Sequence, residues 1–154
     1  MENNKILGIN HLLFSVSDLS VSISFYEKVF DAKWLVKAKK TAYFDLNGIW
    51  LAFNEEKDIK RQEIHDSYTH IAFSIQQEDL PFWEKKLHDL GVNVLKGRKR
   101  NEGDRDSIYF SDPDGHKFEL HTGSVFDRLQ YYQNEKPHLS FHEGHIKALY
   151  DRNK

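Results

Sequence analysis

The hexapeptide HLLFSV, residues 11–16, returns as HIAFSI at residues 70–75. The recurrence constrains the fold more than any other feature, because a repeated strand that opens on histidine implies a repeated module. The offset of 59 residues carries past the strand at low resolution. SDLS followed by VSISFYEKVFDA matches QQEDLP followed by FWEKKLHDLG. In each copy a polar, cap-forming turn leads into a helix with apolar residues three to four apart. These are Ile23, Phe25, Tyr26, Val29 and Phe30 in the first copy, and Phe82, Trp83, Leu87 and Leu90 in the second.

After its helix the first copy runs AKWLVK, TAYFDL, the turn NG and IWLAFN; the second runs VNVLKG, SIYFSD, the turn PDG and HKFELHTG. NG and DG between β-branched and aromatic runs are hairpin signals. Each copy therefore reads β-α-β-β-β, over about residues 6–55 and 66–122, joined by a charged linker at 56–65. The predicted class is α+β, with two pseudosymmetric βαβββ modules forming one domain over 1–138. A helical segment is expected at 124–134. The tail at 139–154 is polar enough to be disordered or to dock.

Alternation along a strand sorts the side chains. Leu12, Phe14 and Val16, like Ile71, Phe73 and Ile75, form wholly apolar sets that must face a helix. His11 and His70 then project from the opposite, concave face. In HKFELHT, Phe118 and Leu120 take the helix side, which turns Glu119 and His121 inward. Aligning the two turns sets Glu119 opposite Ala52, so the first module lacks the carboxylate. With no cysteine in the chain, thiolate ligands, disulfides and a cysteine nucleophile are excluded. His11, His70 and Glu119 are the candidate metal ligands, three groups that leave positions open for substrate. His121 is a candidate supporting partner or fourth ligand. His65, His88 and His116 are expected to be solvated, and the tail histidines His138, His142 and His145 lie in a polar terminal stretch.

Lys and Arg number 22 against 24 Asp and Glu, a formal charge of -2. Such a balanced field gives no reason to expect nucleic acid or an anionic membrane, so recognition of an anion must be local. Tyr43, Tyr68, Tyr109, Arg98, Arg100, Arg105 and Arg128 offer hydroxyls and guanidinium groups for it, and composition does not choose among them. The polar start MENNKILGIN has no signal-peptide core, and no apolar window approaches membrane-spanning length, which predicts a cytoplasmic protein.

The repeat with its His, His and Glu resembles the vicinal oxygen chelate (glyoxalase) superfamily. The phrases INHLLFSV, KKTAYFDLNGIWLAFNEE, SYTHIAFSI, SIYFSDPDGHKFELHTG and DRLQYYQNEKPH resemble the FosB metallothiol transferases. The resemblance implies that a divalent metal, magnesium or manganese, activates fosfomycin while bacillithiol, or L-cysteine as a substitute, opens its epoxide. It places the metal on His11, His70 and Glu119. It places antibiotic contacts on Tyr43, Trp50, Tyr68, Arg98, Tyr109 and Arg128. Tyr43 is also the candidate catalytic group for holding or deprotonating the thiol. It also implies a homodimer whose paired modules come from different chains, although the sequence leaves an intrachain pairing open. Leu13 departs from relatives that carry cysteine or threonine there, so a disulfide or hydrogen bond from that position is absent. The competing readings are a fosfomycin epoxide hydrolase, an iron-dependent extradiol-type dioxygenase and a non-catalytic drug-binding module.

Overall fold

The structure, a computed structural model, describes residues 8–59, 67–97 and 105–153. The expected repeat is present strand for strand. The first module comprises β1 (His11–Val16), α1 (Leu19–Phe30), β2 (Lys33–Lys37), β3 (Thr41–Leu46) and β4 (Ile49–Glu55). The second comprises β5 (Ile71–Ser74), a 3-10 turn (Gln77–Asp79), α2 (Leu80–Asp89), β6 (Asn93–Leu95), β7 (Ser107–Ser111) and β8 (Lys117–His121). The sheet orders are β1-β4-β3-β2 and β5-β8-β7-β6, the same topology twice, and the first and last strands of each module run parallel. The chain ends in α3 (Val125–Glu135) and α4 (Glu143–Arg152), so the segment after Pro137 contains a helix.

Local chemistry sets these elements. The Asp18 carboxylate caps α1 by accepting from the Ser20 and Val21 amides. The helix stops where Asp31 turns left-handed at φ 55°. Asn47 and Gly48 both take positive φ between β3 and β4, at 49° and 87°. This is the backbone a two-residue hairpin turn demands, and the Asp45 side chain accepts from the Gly48 amide at 2.8 Å. Both chemistries are written in the sequence.

Register confirms the sorting of faces. Phe14 pairs with Phe53 and Ile71 with Phe118 on the helix side, while Leu13 pairs with Ala52 and Ala72 with Glu119 on the open side. Glu119 and Ala52 are therefore equivalent positions, as the turn alignment predicts. The helix-facing sides of the two sheets meet in one core. Phe30 of α1 lies 5.5 Å from the rings of both Phe73 and Phe118 and 5.7 Å from Phe110, and Phe14 lies 5.8 Å from Phe118. Phe110 and Phe118 are fully buried. Removing a side chain of this size from water is worth about 2–3 kcal/mol.

A polar latch joins the modules beside this core. The Tyr26 hydroxyl donates to Asp112 Oδ2 at 3.0 Å, and His116 Nδ1 lies 2.7 Å from the same oxygen. The Asp114 carboxylate accepts from the Ser17 amide. This corrects the expectation for His116, which is not solvated. Its ring packs 4.9 Å from Phe14 and its side chain is only 15% exposed, because the buried Asp112 needs donors. His88 is exposed as expected, and His65 lies outside the described residues.

Candidate metal and anion site

With the helix-facing sides spent on the common core, both histidine-bearing faces are left open. On the second sheet, cross-strand register lines up Ala72, Glu119, Tyr109 and Leu95 in one row and Ser74, His121 and Ser107 in the next. Glu119 is buried, yet its carboxylate is fully engaged. The Tyr109 hydroxyl donates to Oε1 at 2.7 Å, and the Ser107 hydroxyl donates to the same oxygen. Oε2 faces His70 Nε2 at 2.9 Å. Tyr68 extends the chain of hydroxyls by donating to the Tyr109 oxygen at 2.8 Å. Burial pushes the Glu119 carboxyl up. The hydrogen bonds from Ser107 and Tyr109, with the His121 and His70 imidazoles nearby, outweigh it and hold the group below its usual range.

The histidine contacts decide which ring nitrogen is available. His70 Nδ1 lies 2.6 Å from the Tyr68 carbonyl oxygen, an acceptor only, so Nδ1 carries a proton, and Nε2 is the nitrogen that meets Glu119 Oε2, where a proton or a cation must lie between them. His11 repeats the device, with Nδ1 2.8 Å from the Asn10 side-chain oxygen. A backbone or amide acceptor on Nδ1 is the usual outer support of a metal-bound imidazole. Two imidazole nitrogens and a carboxylate oxygen suit a divalent cation of intermediate hardness. The residues therefore fit a metal in donor type.

They do not meet within one chain. Among the described residues no three His, Asp or Glu side chains gather closely enough to hold an ion. His11 sits on the first sheet with its ring 4.6 Å from Trp50, and Trp50 lies edge-on to Tyr43 at 5.4 Å. The predicted site residues thus divide into two half-sites, His11, Tyr43 and Trp50 on one sheet and Tyr68, His70, Tyr109 and Glu119 on the other. Arg128 lies on α3 with its guanidinium 5.6 Å from the Tyr132 ring, and Arg98 lies outside the described residues.

Sequence reasoning passed over Ser107. Its signal was present, since it stands two residues before Tyr109 on the same strand face and pairs across the ladder with His121. His121 Nδ1 approaches the Ser107 oxygen at 2.7 Å, which directs the serine proton to Glu119. His121 is thereby a support for the carboxylate. A cleft of about 280 Å³ opens beside this half-site, lined by Ser67, Tyr68, His70, Leu95, Lys96, Tyr109 and Lys117.

Comparison with known proteins identifies the family of the fold. The profile of the Glyoxalase/Bleomycin resistance protein/Dioxygenase superfamily matches residues 8–120. The chain is 99% identical over 154 residues to a metallothiol transferase FosB of Bacillus licheniformis, covering all of both chains. It is 60% identical over 136 residues to a FosB of Lysinibacillus sphaericus, covering 88% of this chain and 96% of the relative. Among solved structures, a point variant of the fosfomycin resistance protein FosX from Listeria monocytogenes, complexed with Mn(II) and 1S,2S-dihydroxypropylphosphonic acid, superposes with a TM-score of 0.75. That match has 33% identity and covers 83% of this chain and 99% of the other. FosX from Mesorhizobium loti gives a TM-score of 0.69 at 36% identity, covering 81% and 99%. With two modules of this topology and this extent of identity, the chain belongs to the glyoxalase superfamily and, within it, to the FosB metallothiol transferases.

Proposed function

We propose that the protein inactivates fosfomycin by transferring a small thiol, bacillithiol or L-cysteine in its place, to the epoxide carbon beside phosphorus. The observation that carries this reading is the Glu119 carboxylate, with Oε1 taken by Ser107 and Tyr109 and Oε2 left facing the metal-competent nitrogen of His70. His70 and Glu119 of one subunit, with His11 of a second, would hold the divalent ion, magnesium or manganese. A cation there would supply Lewis-acid polarisation of the epoxide oxygen.

The other tasks fall to the chain's own groups. The Arg128 guanidinium and the Tyr68 hydroxyl, once it turns from Tyr109, orient the phosphonate and fix the ring carbon for attack, while Tyr109, committed to Glu119, lines the pocket; Arg98 belongs to the same proposal. Tyr43, edge-on to Trp50, holds the incoming thiol. The thiol gives up its proton, its sulfur forms the new carbon–sulfur bond as the carbon–oxygen bond breaks, and the freed oxygen takes up one proton in place of the one the thiol lost, becoming a hydroxyl. Catalysis of this kind asks the protein for positioning and charge complementarity, not for a nucleophile of its own. The absence of cysteine is compatible with that.

The exposed faces support a homodimer with exchanged modules. Leu13, Val36 and Trp50 on the open side of the first sheet are 51%, 45% and 38% exposed, an apolar surface of the sort that a partner covers. Pairing it with the second sheet of another subunit would bring His11 to the half-site it lacks. Among the described residues no helix is long and apolar enough to cross a membrane. That is compatible with work in the cytoplasm, where low-molecular-weight thiols are kept reduced.

Phosphorus NMR of fosfomycin tests the proposal, using metal-stripped protein supplied with Mn(II) or Mg(II) and then with bacillithiol, L-cysteine or no thiol. A metal-dependent adduct that forms only with thiol is expected. One observation favours a second reading: the ligand described in the FosX complex is a diol, the skeleton that water addition to the epoxide would leave. Conversion without thiol would establish that hydrolase reading in place of the transferase.

A further inference from the structure

Arg105 is the one guanidinium of the pre-β7 segment that the described residues place in a defined set of contacts. The family resemblance gives it no role. It occupies a left-handed backbone conformation at φ 57°, unusual for a residue with a side chain. From there its Nη2 reaches Asp127 Oδ1 at 2.6 Å. Asp127 is the third residue of α3, and its other oxygen accepts from the Ser124 amide at 2.8 Å and the Ser124 hydroxyl at 2.6 Å. Ser124 Oγ accepts in turn from the Asp127 amide, which closes a reciprocal capping box. The same carboxylate thus starts the helix and receives the arginine.

The stem of Arg105 lies across Gly123. A Cβ at Gly123 would stand 2.7 Å from Arg105 Cγ and 2.9 Å from His121 Nε2, so only glycine lets the three residues close on one another. Asp106, next in the chain, is bound on the other side. Its amide donates to Thr122 Oγ1 at 3.1 Å, its carbonyl accepts from the Thr122 amide at 3.1 Å, and its carboxylate accepts from Gln77 Nε2 at 2.7 Å. The start of β7, the end of β8 and the first turn of α3 are therefore held as a single knot. Ser107 and His121, which support Glu119, adjoin this knot in the chain, and so does Arg128, next to Asp127.

We propose that Arg105 is a positioning residue, which clasps Asp127 so that α3 presents Arg128 at a fixed place relative to Glu119. This rests on the reading of Arg128 as a phosphonate-binding group. Arg105 itself acts through the helix, by its contact with Asp127. Both side chains of the clasp are partly exposed, at 52% and 31%, which screens the pair and limits its strength.

The test uses full-length protein loaded with Mn(II) and varies fosfomycin at saturating thiol for the unmutated chain, Arg105→Met, Arg105→Lys, Asp127→Asn and the double variant Arg105→Met/Asp127→Asn. Arg105→Met is expected to raise the fosfomycin KM about fivefold, the scale of a partly exposed ion pair. Its kcat, its thiol KM and its Mn(II) affinity by electron paramagnetic resonance should stay near those of the unmutated chain. Arg105→Lys should recover most of the loss. The double variant should be no worse than the worse single variant, since both remove one interaction. Additive effects, an unchanged fosfomycin KM with only a lowered Tm, or an equal loss of Mn(II) affinity would each overturn the proposal. Absence of fosfomycin turnover by the unmutated protein would instead overturn the function beneath it, and this inference with it.

Discussion

The two open sheet faces are built on one plan and differ in what they hold. Register makes Tyr43 the counterpart of Tyr109, Ala52 of Glu119, Thr41 of Ser107, Asn54 of His121 and Leu13 of Ala72. On the second face the hydroxyls converge on the Glu119 carboxylate. On the first, Thr41 Oγ1 donates to the Phe53 carbonyl at 2.8 Å and meets the Asn54 side-chain oxygen at 2.9 Å, while Trp50 spreads between His11 and Tyr43. One copy is a polar cradle, and the other is an apolar face with one imidazole. A duplicated scaffold can thus divide binding labour between its halves, because a buried carboxylate is tolerated only where donors already point at it.

The most severe break in that comparison is Glu119→Ala. It removes the acceptor around which the second face is organised, and turnover should fall by about 10²–10³-fold. The check is phosphorus NMR at limiting metal; activity equal to the unmutated chain would place the metal elsewhere. Next comes Arg128→Met, expected to raise the fosfomycin KM about tenfold through loss of a charge-assisted contact. An unchanged KM would remove Arg128 from the anion site.

Ala52→Glu asks whether the first face can be turned into a copy of the second. The new carboxylate would have Tyr43 as a donor, but Thr41 is already committed. The substitution should therefore cost about 1–3 kcal/mol of stability, read as a lowered midpoint in urea. A midpoint at the original value would show that donor scarcity is not what separates the faces.

The smallest expected effect concerns the latch beneath both sheets. Burial, followed by the charge and hydrogen bond of Asp112, raises the Tyr26 phenol well above its usual 10.0. Because the folded state favours the neutral phenol, its contribution is intact below pH 10. It is lost as the pH rises from there toward the folded value. Tyr26→Phe removes the donor to Asp112 and should destabilise by about 1 kcal/mol at neutral pH. Urea midpoints between pH 9 and 11 should fall less steeply for the variant than for the unmutated chain. A steeper fall would contradict the assigned shift.

Much of this is legible in the sequence. The duplicated strand, the Asn47–Gly48 turn and the three-to-four spacing of Ile23, Tyr26 and Phe30 specify the modules, because each signal is local and its partner lies within a few residues. Alternation alone sorted His70 and Glu119 onto one face. His116 departs from expectation because its partner Asp112 also takes the Tyr26 hydroxyl, and its own ring packs on Phe14, both from the other module. Contacts at such a separation leave no periodic trace. Ser107 was missed for a related reason, since a serine on a strand reads as solvated until a carboxylate is seen to stand beside it.

The sequence by itself determined the repeat, the faces, the ligand types and the absence of thiol chemistry in the protein, all of which follow from side-chain identity and strand or helix period. Only the tertiary structure decided how the two modules meet. Their apolar, helix-facing sides close on a shared core around Phe30 and Phe118, because burying that aromatic surface is the largest favourable term available to the chain. That choice keeps His11 from gathering with His70 and Glu119 within the described residues of one chain. Periodicity cannot reveal it, since it sorts residues between faces without saying which face packs against which.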